Sequence, residues 1–156
     1  MSYNIEIENL DAVPVVYQER VVDRDQIGAA FAEMLPSVFE YVMGEGLAPA
    51  GHPYVRYIDA SPAFLTIQGG IPLTESAPPP PAESGLVASE LPAGRAAVTI
   101  HQGPYDTLGD AHVALDRWIA ASEHASAGGP WELYLTDPGE VPDPADWQTK
   151  LCWPIT

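Results

Sequence analysis

One acidic side chain, Glu132, interrupts a run of aromatic and aliphatic residues that has the character of a β-strand. Glycine and proline bound the run Trp131–Thr136 on both sides, which predicts a strand there. Side chains two residues apart share a face, so Glu132 and Tyr134 lie together, and Trp131 lies on the opposite face, which we expect beneath the helices. A carboxylate in mid-strand is costly to bury without a partner. Glu132 is therefore either solvated or paired with an arginine, or it lines a pocket and contacts a cationic ligand.

The charge of the chain argues against several classes of function. Among 156 residues, six are basic and 22 are acidic, which gives a net charge of −16 at pH 7. Nucleic-acid binding requires a basic footprint, and anionic lipid surfaces attract the same residues. We therefore expect no direct nucleic-acid binding and no membrane binding, whereas the acidic field favours cations.

The cysteine and histidine content predicts neither a metal site nor a cofactor. Cys152 is the only cysteine, so no disulfide can form within the chain, and no secretory signal is visible, which predicts a cytoplasmic location. The four histidines, His52, His101, His112 and His124, lack the spacing of paired metal ligands. We interpret His112 as a core histidine on a helix and His101 as a hydrogen-bonded turn residue at the end of a strand. No Ser-His-Asp set, phosphate-binding loop or dinucleotide fingerprint is present.

Hydrophobic periodicity predicts strands and two main helices. The predicted strands cover residues 5–10, 13–22, 53–59, 64–73, 86–91, 96–101, 129–138 and 147–155. The first two could instead form one strand with a bulge at 11–14. Gly69-Gly70 indicates a bulge or a close backbone approach, and residues 76–85, which include Pro78–Pro81, predict an exposed proline-rich connector.

The first helix is predicted to begin near Gln26 and to end in glycine near residue 44, with a kink or a break at Pro36. The second helix follows residue 107 and ends before Gly128. Side chains are expected to cap both helices at their starts, and the candidates are Asp23 or Asp25 for the first and Asp106 or Thr107 for the second.

The two halves of the chain match as an internal repeat. Adding 81 to Ile27-Gly28 gives Leu108-Gly109, and adding 77 to Tyr54–Tyr57 gives Trp131–Tyr134. The offsets differ by 81 − 77 = 4, which is about one helical turn. Each half then has the order strand-helix-strand-strand.

The repeat predicts a single α+β domain over residues 1–156. Its two pseudo-symmetric strand-helix-strand-strand repeats, at about 1–75 and 86–156, flank the connector and form an antiparallel sheet with both helices on one face. The opposite face is then concave. The repeat places Tyr57 at the position of Tyr134 and Val55 at that of Glu132. A central pocket with aromatic walls and one acid suits a flat, apolar cation.

Three segments of the sequence resemble a known family. They are Leu91–Arg95 (Leu-Pro-Ala-Gly-Arg), His101–Tyr105 (His-Gln-Gly-Pro-Tyr) and Trp131–Pro138 (Trp-Glu-Leu-Tyr-Leu-Thr-Asp-Pro). In this order they are similar to the GyrI-like small-molecule-binding domain, which also forms the effector-binding part of multidrug-sensing and AraC-type transcription regulators. The resemblance covers most of the chain and is strongest from residue 90 to residue 138.

The resemblance implies a pocket for amphipathic, often cationic compounds. It implies that Glu132 is the acid of the pocket and that the aromatic lining consists of Tyr134, Tyr57, Tyr105 and Tyr41. Regulators of the family carry a DNA-binding domain before this module. Because Met1 lies a few residues before the first predicted strand, we expect a stand-alone form, which argues against a role in transcription.

Three functions follow as hypotheses. The first is a binding module for amphipathic, aromatic or cationic compounds that serves in drug sensing or sequestration. The second, which the resemblance implies, is a hydrolase that opens the cyclopropane rings of electrophilic alkylating compounds. There Glu132 would be the general base, and Tyr134 or Tyr57 would hydrogen-bond the developing charge. The third is an adaptor that contacts a protein partner, so far unknown, through its acidic surface or Pro78–Pro81.

Overall fold

The computed structural model describes residues 3–137 and 139–156. Met1, Ser2 and Pro138, which ends the motif Trp131–Pro138, lie outside the described residues, as does the side chain of Ala60. The elements are β1 (Glu6–Leu10), β2 (Val13–Asp23), α1 (Ile27–Gly44), β3 (Tyr54–Ala60), β4 (Phe64–Pro72), β5 (Leu86–Leu91), β6 (Gly94–Gln102), α2 (Leu108–Ala121), β7 (Trp131–Tyr134) and β8 (Gln148–Pro154).

Two compact units divide the described chain, and each combines antiparallel strands with one main helix. The α1 unit spans Asp11–Ala93, and the α2 unit consists of β1 together with Gly94–Thr156. The strand order is β5-β2-β4-β3 in the α1 unit and β1-β6-β8-β7 in the α2 unit. The two orders correspond strand by strand when β2, β3 and β4 are matched with β6, β7 and β8. The predicted α+β class and the repeat of strand, helix, strand and strand are confirmed.

The outer strand of each unit comes from outside the predicted repeat. β1 pairs with β6, with Glu6 opposite Val98, whereas β5 pairs with β2, with Leu91 opposite Val13. The units therefore run across the boundaries near 75 and 86, and the alternative of a single bulged strand over 5–22 is wrong. Alternation identifies a strand and its faces, but it does not identify the neighbouring strand.

Helix α1 packs on β2 and β4 through four buried side chains at helical spacing, which are Ala30, Met34, Val38 and Val42. The predicted break at Pro36 is wrong. Pro36 lies on the exposed side, and the helix continues to Gly44 with buried residues on either side of the proline. Neither Asp23 nor Asp25 caps the helix, because a 3-10 turn at Arg24–Gln26 leads into it instead.

Helix α2 packs on β6 and β8 in the same manner. Its buried side chains are Leu108, Ala111, Leu115 and Ile119, and they form a core with Ala97, Leu151 and Ile155. Each large aliphatic side chain buried there contributes about 1.5–3 kcal/mol. The predicted side-chain cap is absent, because the hydroxyl of Thr107 donates to the carbonyl of Pro104 at 3.0 Å instead.

Gly70 of β4 lies against the backbone of β2. A Cβ atom at this position would lie 2.4 Å from the carbonyl oxygen of Val16 and 2.8 Å from Cβ of Tyr17. Of the two predictions for Gly69-Gly70, the close approach is therefore the correct one. The register shift of this sheet lies in β3, between Tyr57 and Asp59.

We expect the substitution Gly70→Ala to lower the free energy of unfolding by about 1–3 kcal/mol, because the added methyl group meets backbone that cannot move aside. The matched control is Gly28→Ala in α1, where no atom lies within 4 Å of the added Cβ. Alanine at that helical position should stabilise the protein by about 0.5–1 kcal/mol. Urea unfolding followed by circular dichroism measures both, and equal effects at the two positions would contradict the steric account.

Candidate functional site

Glu132 lies in β7 on the face that α2 covers. It stands opposite Leu151 of β8, and Leu151 belongs to the α2 core. Trp131 stands opposite Cys152 on the other face and is also buried. The predicted grouping of Glu132 with Tyr134 is correct, but the prediction that Trp131 faces the helix is wrong. Both faces are buried here, so apolar character did not reveal which one carries the helix.

The carboxylate of Glu132 is held by two donors. Nε2 of His112, on α2, donates to Oε2 at 2.5 Å, and the hydroxyl of Tyr134 donates to Oε1 at 2.8 Å. Only 2% of Glu132 is exposed, whereas the His112 side chain is 23% exposed. Charge-assisted hydrogen bonds of this kind offset the cost of removing a carboxylate from water. Glu132 is thus buried and not solvated, and His112 is more than a core residue.

Aromatic rings continue outward from this carboxylate. The ring of Tyr105 meets that of Tyr134 edge-on, with centroids 5.5 Å apart, and it lies 4.7 Å from the ring of Trp147. Trp147 is fixed by its indole N–H, which donates to the carbonyl of Val141 at 2.7 Å. Burial raises the pKa of Tyr105, and so do the negative charges of Asp137 and Glu132. The structure therefore joins Glu132, Tyr134 and Tyr105, and it adds Trp147 to them.

The turn that carries Tyr105 is anchored by His101. Nε2 of His101 lies 2.9 Å from the hydroxyl of Thr107, and its Nδ1 lies 2.9 Å from the hydroxyl of Tyr3. Gly103 has a φ of +134°, which disfavours any other residue at this bend. Burial and the charge of Asp110 raise the pKa of Tyr3. The interpretation of His101 as a hydrogen-bonded turn residue agrees with this network.

The other two predicted aromatic residues lie in the α1 unit. Tyr57, in β3, stands opposite Ile67 on the face that α1 covers. Tyr41, on α1, is partly buried and packs against the core of its own unit. Their roles in ligand binding stay predictions.

Two residues that contact the candidate site, His112 and Trp147, were not predicted as part of it. His112 was assigned to the core because it follows the apolar stripe of α2, and Trp147 was left without a role. The repeat could have drawn attention to His112, because its equivalent, 112 − 81 = 31, is Phe31. Phe31 is a large residue that approaches the sheet at Gly69 beneath α1, so His112 is expected to approach the sheet in the same way. The strand register places Trp147 near Tyr105. Trp147 directly precedes Gln148, which pairs with Gln102 at the end of β6, and the turn that carries Tyr105 follows there.

Over residues 3–137 and 139–156, no group of three or more His, Cys, Asp or Glu side chains could hold a metal ion. Within the same ranges, no helix combines the length and the apolar character that a membrane span requires. The chemistry that remains is that of a carboxylate, an imidazole and phenols in apolar surroundings.

We expect Tyr134→Phe to lower the free energy of unfolding by about 1.5–3 kcal/mol, because the buried carboxylate loses a donor. The control is Tyr105→Phe, which removes the same atom from the neighbouring ring and should change stability by less than about 0.5 kcal/mol. Thermal and urea unfolding measure both changes. In the Glu132→Gln background the effect of Tyr134→Phe should shrink, and an undiminished effect would show that the hydrogen bond is not its cause.

The sequence matches the family described as the GyrI-like small molecule binding domain over residues 3–156. None of the curated proteins matches the chain. Among solved structures, it is similar to the EcmrR C-terminal domain, with 19% identity, a TM-score of 0.88 and coverage of 100% of this chain and 99% of that one. For EcmrR in a complex with DNA, the identity is 19% and the TM-score is 0.85, and the match covers 98% of this chain and 57% of that chain.

Two further similar structures carry other descriptions. SAV2435 bound to tetraphenylphosphonium is 11% identical, with a TM-score of 0.67, and the match covers 100% of this chain and 94% of that chain. A hydrolase from Listeria innocua is 14% identical, with a TM-score of 0.59, and the match covers 97% of this chain and 91% of that chain. At these identities the structures support the fold alone, whereas the family match extends over nearly the whole sequence. With the eight strands and two helices described above, it shows that this chain belongs to the GyrI-like small-molecule-binding domain family.

Proposed function

We propose that this domain binds amphipathic organic cations with aromatic groups and serves in drug sensing or sequestration. The observation that carries the proposal is a carboxylate with 2% exposure, Glu132, next to the rings of Tyr134, Tyr105 and Trp147. A buried negative charge with aromatic neighbours attracts a cation through charge and through the ring faces.

The surroundings of Glu132 favour a cation whose charge is spread over a large apolar body. A compact, strongly hydrated cation would lose its water on entering an apolar site, and that cost is large. A lipophilic cation loses little hydration and gains from contact with aromatic rings. The net charge of −16 also raises the local concentration of cations around the protein.

The proposal concerns the described domain. The first similar structure extends well beyond it, since the match covers 57% of EcmrR in its DNA complex. With six basic residues in 156, we assign this domain no direct contact with nucleic acid. We also keep the cytoplasmic location inferred from the sequence as part of the proposal.

Tetraphenylphosphonium, the compound bound to SAV2435, is a suitable probe, and triphenylphosphine oxide is a neutral control of related shape. We expect Glu132→Gln to weaken tetraphenylphosphonium binding roughly tenfold or more, because one charge-assisted contact contributes about 1.5–3 kcal/mol. Binding of the neutral control should change far less. Titration calorimetry measures both ligands.

Equal weakening of both probes would indicate a general loss of structure and would remove the assignment of Glu132 as the counter-charge. Asp143→Asn is a matched charge control, because Asp143 is an exposed acid that bonds the backbone of its own turn. It removes one negative charge from an exposed loop that lies nine residues beyond the end of β7 (143 − 134 = 9), and it should leave the affinity nearly unchanged. A comparable loss in this variant would show that net charge, and not the site, attracts the cation.

Hydrolysis of an electrophilic aromatic compound is a second candidate function. The observation that favours it is the contact of the Tyr134 hydroxyl with the carboxylate of Glu132, which joins a proton acceptor to a hydrogen-bond donor in apolar surroundings. The similar structure of a hydrolase from Listeria innocua supports a test. The lone thiol is no candidate nucleophile, because burial raises the pKa of Cys152 to about 12.

If the domain opens a cyclopropane ring, Glu132→Gln should lower the rate by about 10²–10⁴-fold, because general-base catalysis contributes by that factor. Mass spectrometry of a cyclopropane-bearing alkylator after incubation detects the ring-opened product. Uncharged substrate should still bind to the variant. An unchanged rate in Glu132→Gln would exclude Glu132 as the base, and the absence of product with the wild-type protein would leave binding as the function.

A further inference from the structure

We infer that His112 is the resident cation of the Glu132 site, and that an organic cation binds by replacing the proton on His112. Binding would then release a proton to solvent, and His112 would set how strongly the site prefers cations at a given pH. This inference rests on the proposed function, because it concerns the same carboxylate.

The geometry gives His112 and Glu132 different access to solvent. Their contact, from Nε2 to Oε2, is 2.5 Å long. The carboxylate is buried, whereas the imidazole is 23% exposed. His112 is thus the member of the pair that can exchange a proton with water, while Glu132 keeps its place beneath α2.

The net charge of the His112–Glu132 pair determines how strongly the site attracts a cationic ligand. When His112 is protonated, its charge compensates that of Glu132, and an arriving cation finds a neutral pair. When His112 loses the proton, its Nε2–H can still donate to the carboxylate, but the imidazole no longer compensates the negative charge of Glu132. A cation beside Glu132 and a proton on His112 repel each other, so each disfavours the other.

The equivalent positions of the other repeat carry apolar residues in place of this pair. Subtracting 81 from His112 gives Phe31, and subtracting 77 from Glu132 gives Val55. In the α1 unit the ring of Phe31 lies against Gly69, which stands opposite Val55, and Val55 is fully buried. An apolar pair therefore fills the same positions beneath the other helix. The architecture does not require the polar pair, which is what a binding role predicts.

Further titratable groups stand on the elements of the α2 unit that carry the pair or lie beside it. Tyr134 bonds Glu132, and Tyr105, whose pKa is raised, packs on Tyr134. Asp116 lies one turn beyond His112 on α2, and Asp137 follows β7. On the face beneath α2, β8 presents Thr149, Leu151 and Trp153, none of them ionisable near neutral pH.

On that face β6 presents His101, whose ring nitrogens bond Tyr3 and Thr107. Thr149 of β8 lies between His101 and Tyr134 in the sheet, which separates His101 from the pair by a strand. Among these side-chain types, imidazole is the one whose charge changes near neutral pH, whereas phenols change charge near pH 10 and carboxylates near pH 4.

The test is calorimetric titration of the 156-residue chain with tetraphenylphosphonium between pH 5.5 and pH 8.0. We expect affinity to rise with pH, by up to about tenfold per unit in the lower part of the range, and then to level off. Titrations at pH 6 in two buffers with different ionisation enthalpies should show release of up to about one proton per ligand. Binding of neutral triphenylphosphine oxide should depend far less on pH.

His112→Gln retains an N–H donor near Nε2 but cannot be protonated, so it should flatten the pH profile for tetraphenylphosphonium and bind more tightly than wild type at pH 6. His52→Gln is the matched control, because His52 is exposed and lies outside the site, and it should retain the wild-type profile. His112→Asn is a second variant should the first not fold, and the proton count on the wild-type protein requires no variant.

The outcomes separate this inference from the proposed function. If tetraphenylphosphonium binds at pH 8 and Glu132→Gln weakens it, but no proton is released at pH 6, the inference about His112 is wrong and the binding function stands. A pH profile of tetraphenylphosphonium affinity that is unchanged in His112→Gln would likewise show that the inference about His112 is wrong, and it would leave the binding function in place. The absence of binding at every pH would overturn both.

Discussion

A carboxylate taken out of water must be supplied with donors, and the polar structure of the α2 unit is arranged around that requirement. Glu132 lies under a helix, where an unpartnered charge would destabilise the fold by several kcal/mol. Its donors come from two elements, His112 from α2 and Tyr134 from β7 itself. The contact with His112 fixes the rotation of α2 over the sheet, because the apolar stripe and the imidazole must both be satisfied at once. The aromatic rings of Tyr105 and Trp147 then pack where Tyr134 has been placed.

The two units show how one frame can support either packing or recognition. Both place a helix over the two middle strands of their order, and both bury an aliphatic stripe there. In the α1 unit Phe31 and Val55 complete the core, and Gly69 makes room for the large ring. In the α2 unit the corresponding positions hold an imidazole, a carboxylate and Leu151. The difference lies in the side chains, so the frame is preserved while its chemistry changes.

Sequence reasoning predicted the elements of this fold well and their partners less well. The strands, both helices and the repeat followed from periodicity and from glycine and proline, because those signals are local. The partition of β1 and β5 did not follow, because strand pairing is a contact between residues distant in sequence. In the site, the spacing of two residues predicted that Glu132 and Tyr134 share a face. The contact of Glu132 with His112 joins residues 20 positions apart in the sequence, so it leaves no local pattern. The helix does not break at Pro36, because tertiary packing outweighs a single missing backbone donor.

The place of β1 has a consequence for how the chain is made. β1 is synthesised before the α1 unit, yet its partner β6 begins only after the whole of Asp11–Ala93 has been synthesised. During that interval the α1 unit already contains all of its own strands, while β1 has not yet met β6 and presents an unpaired backbone edge. The alternating glutamates of β1, Glu6 and Glu8, keep this waiting segment charged. Nascent chains then repel one another at the one strand that has no partner, which protects it from pairing with the wrong edge.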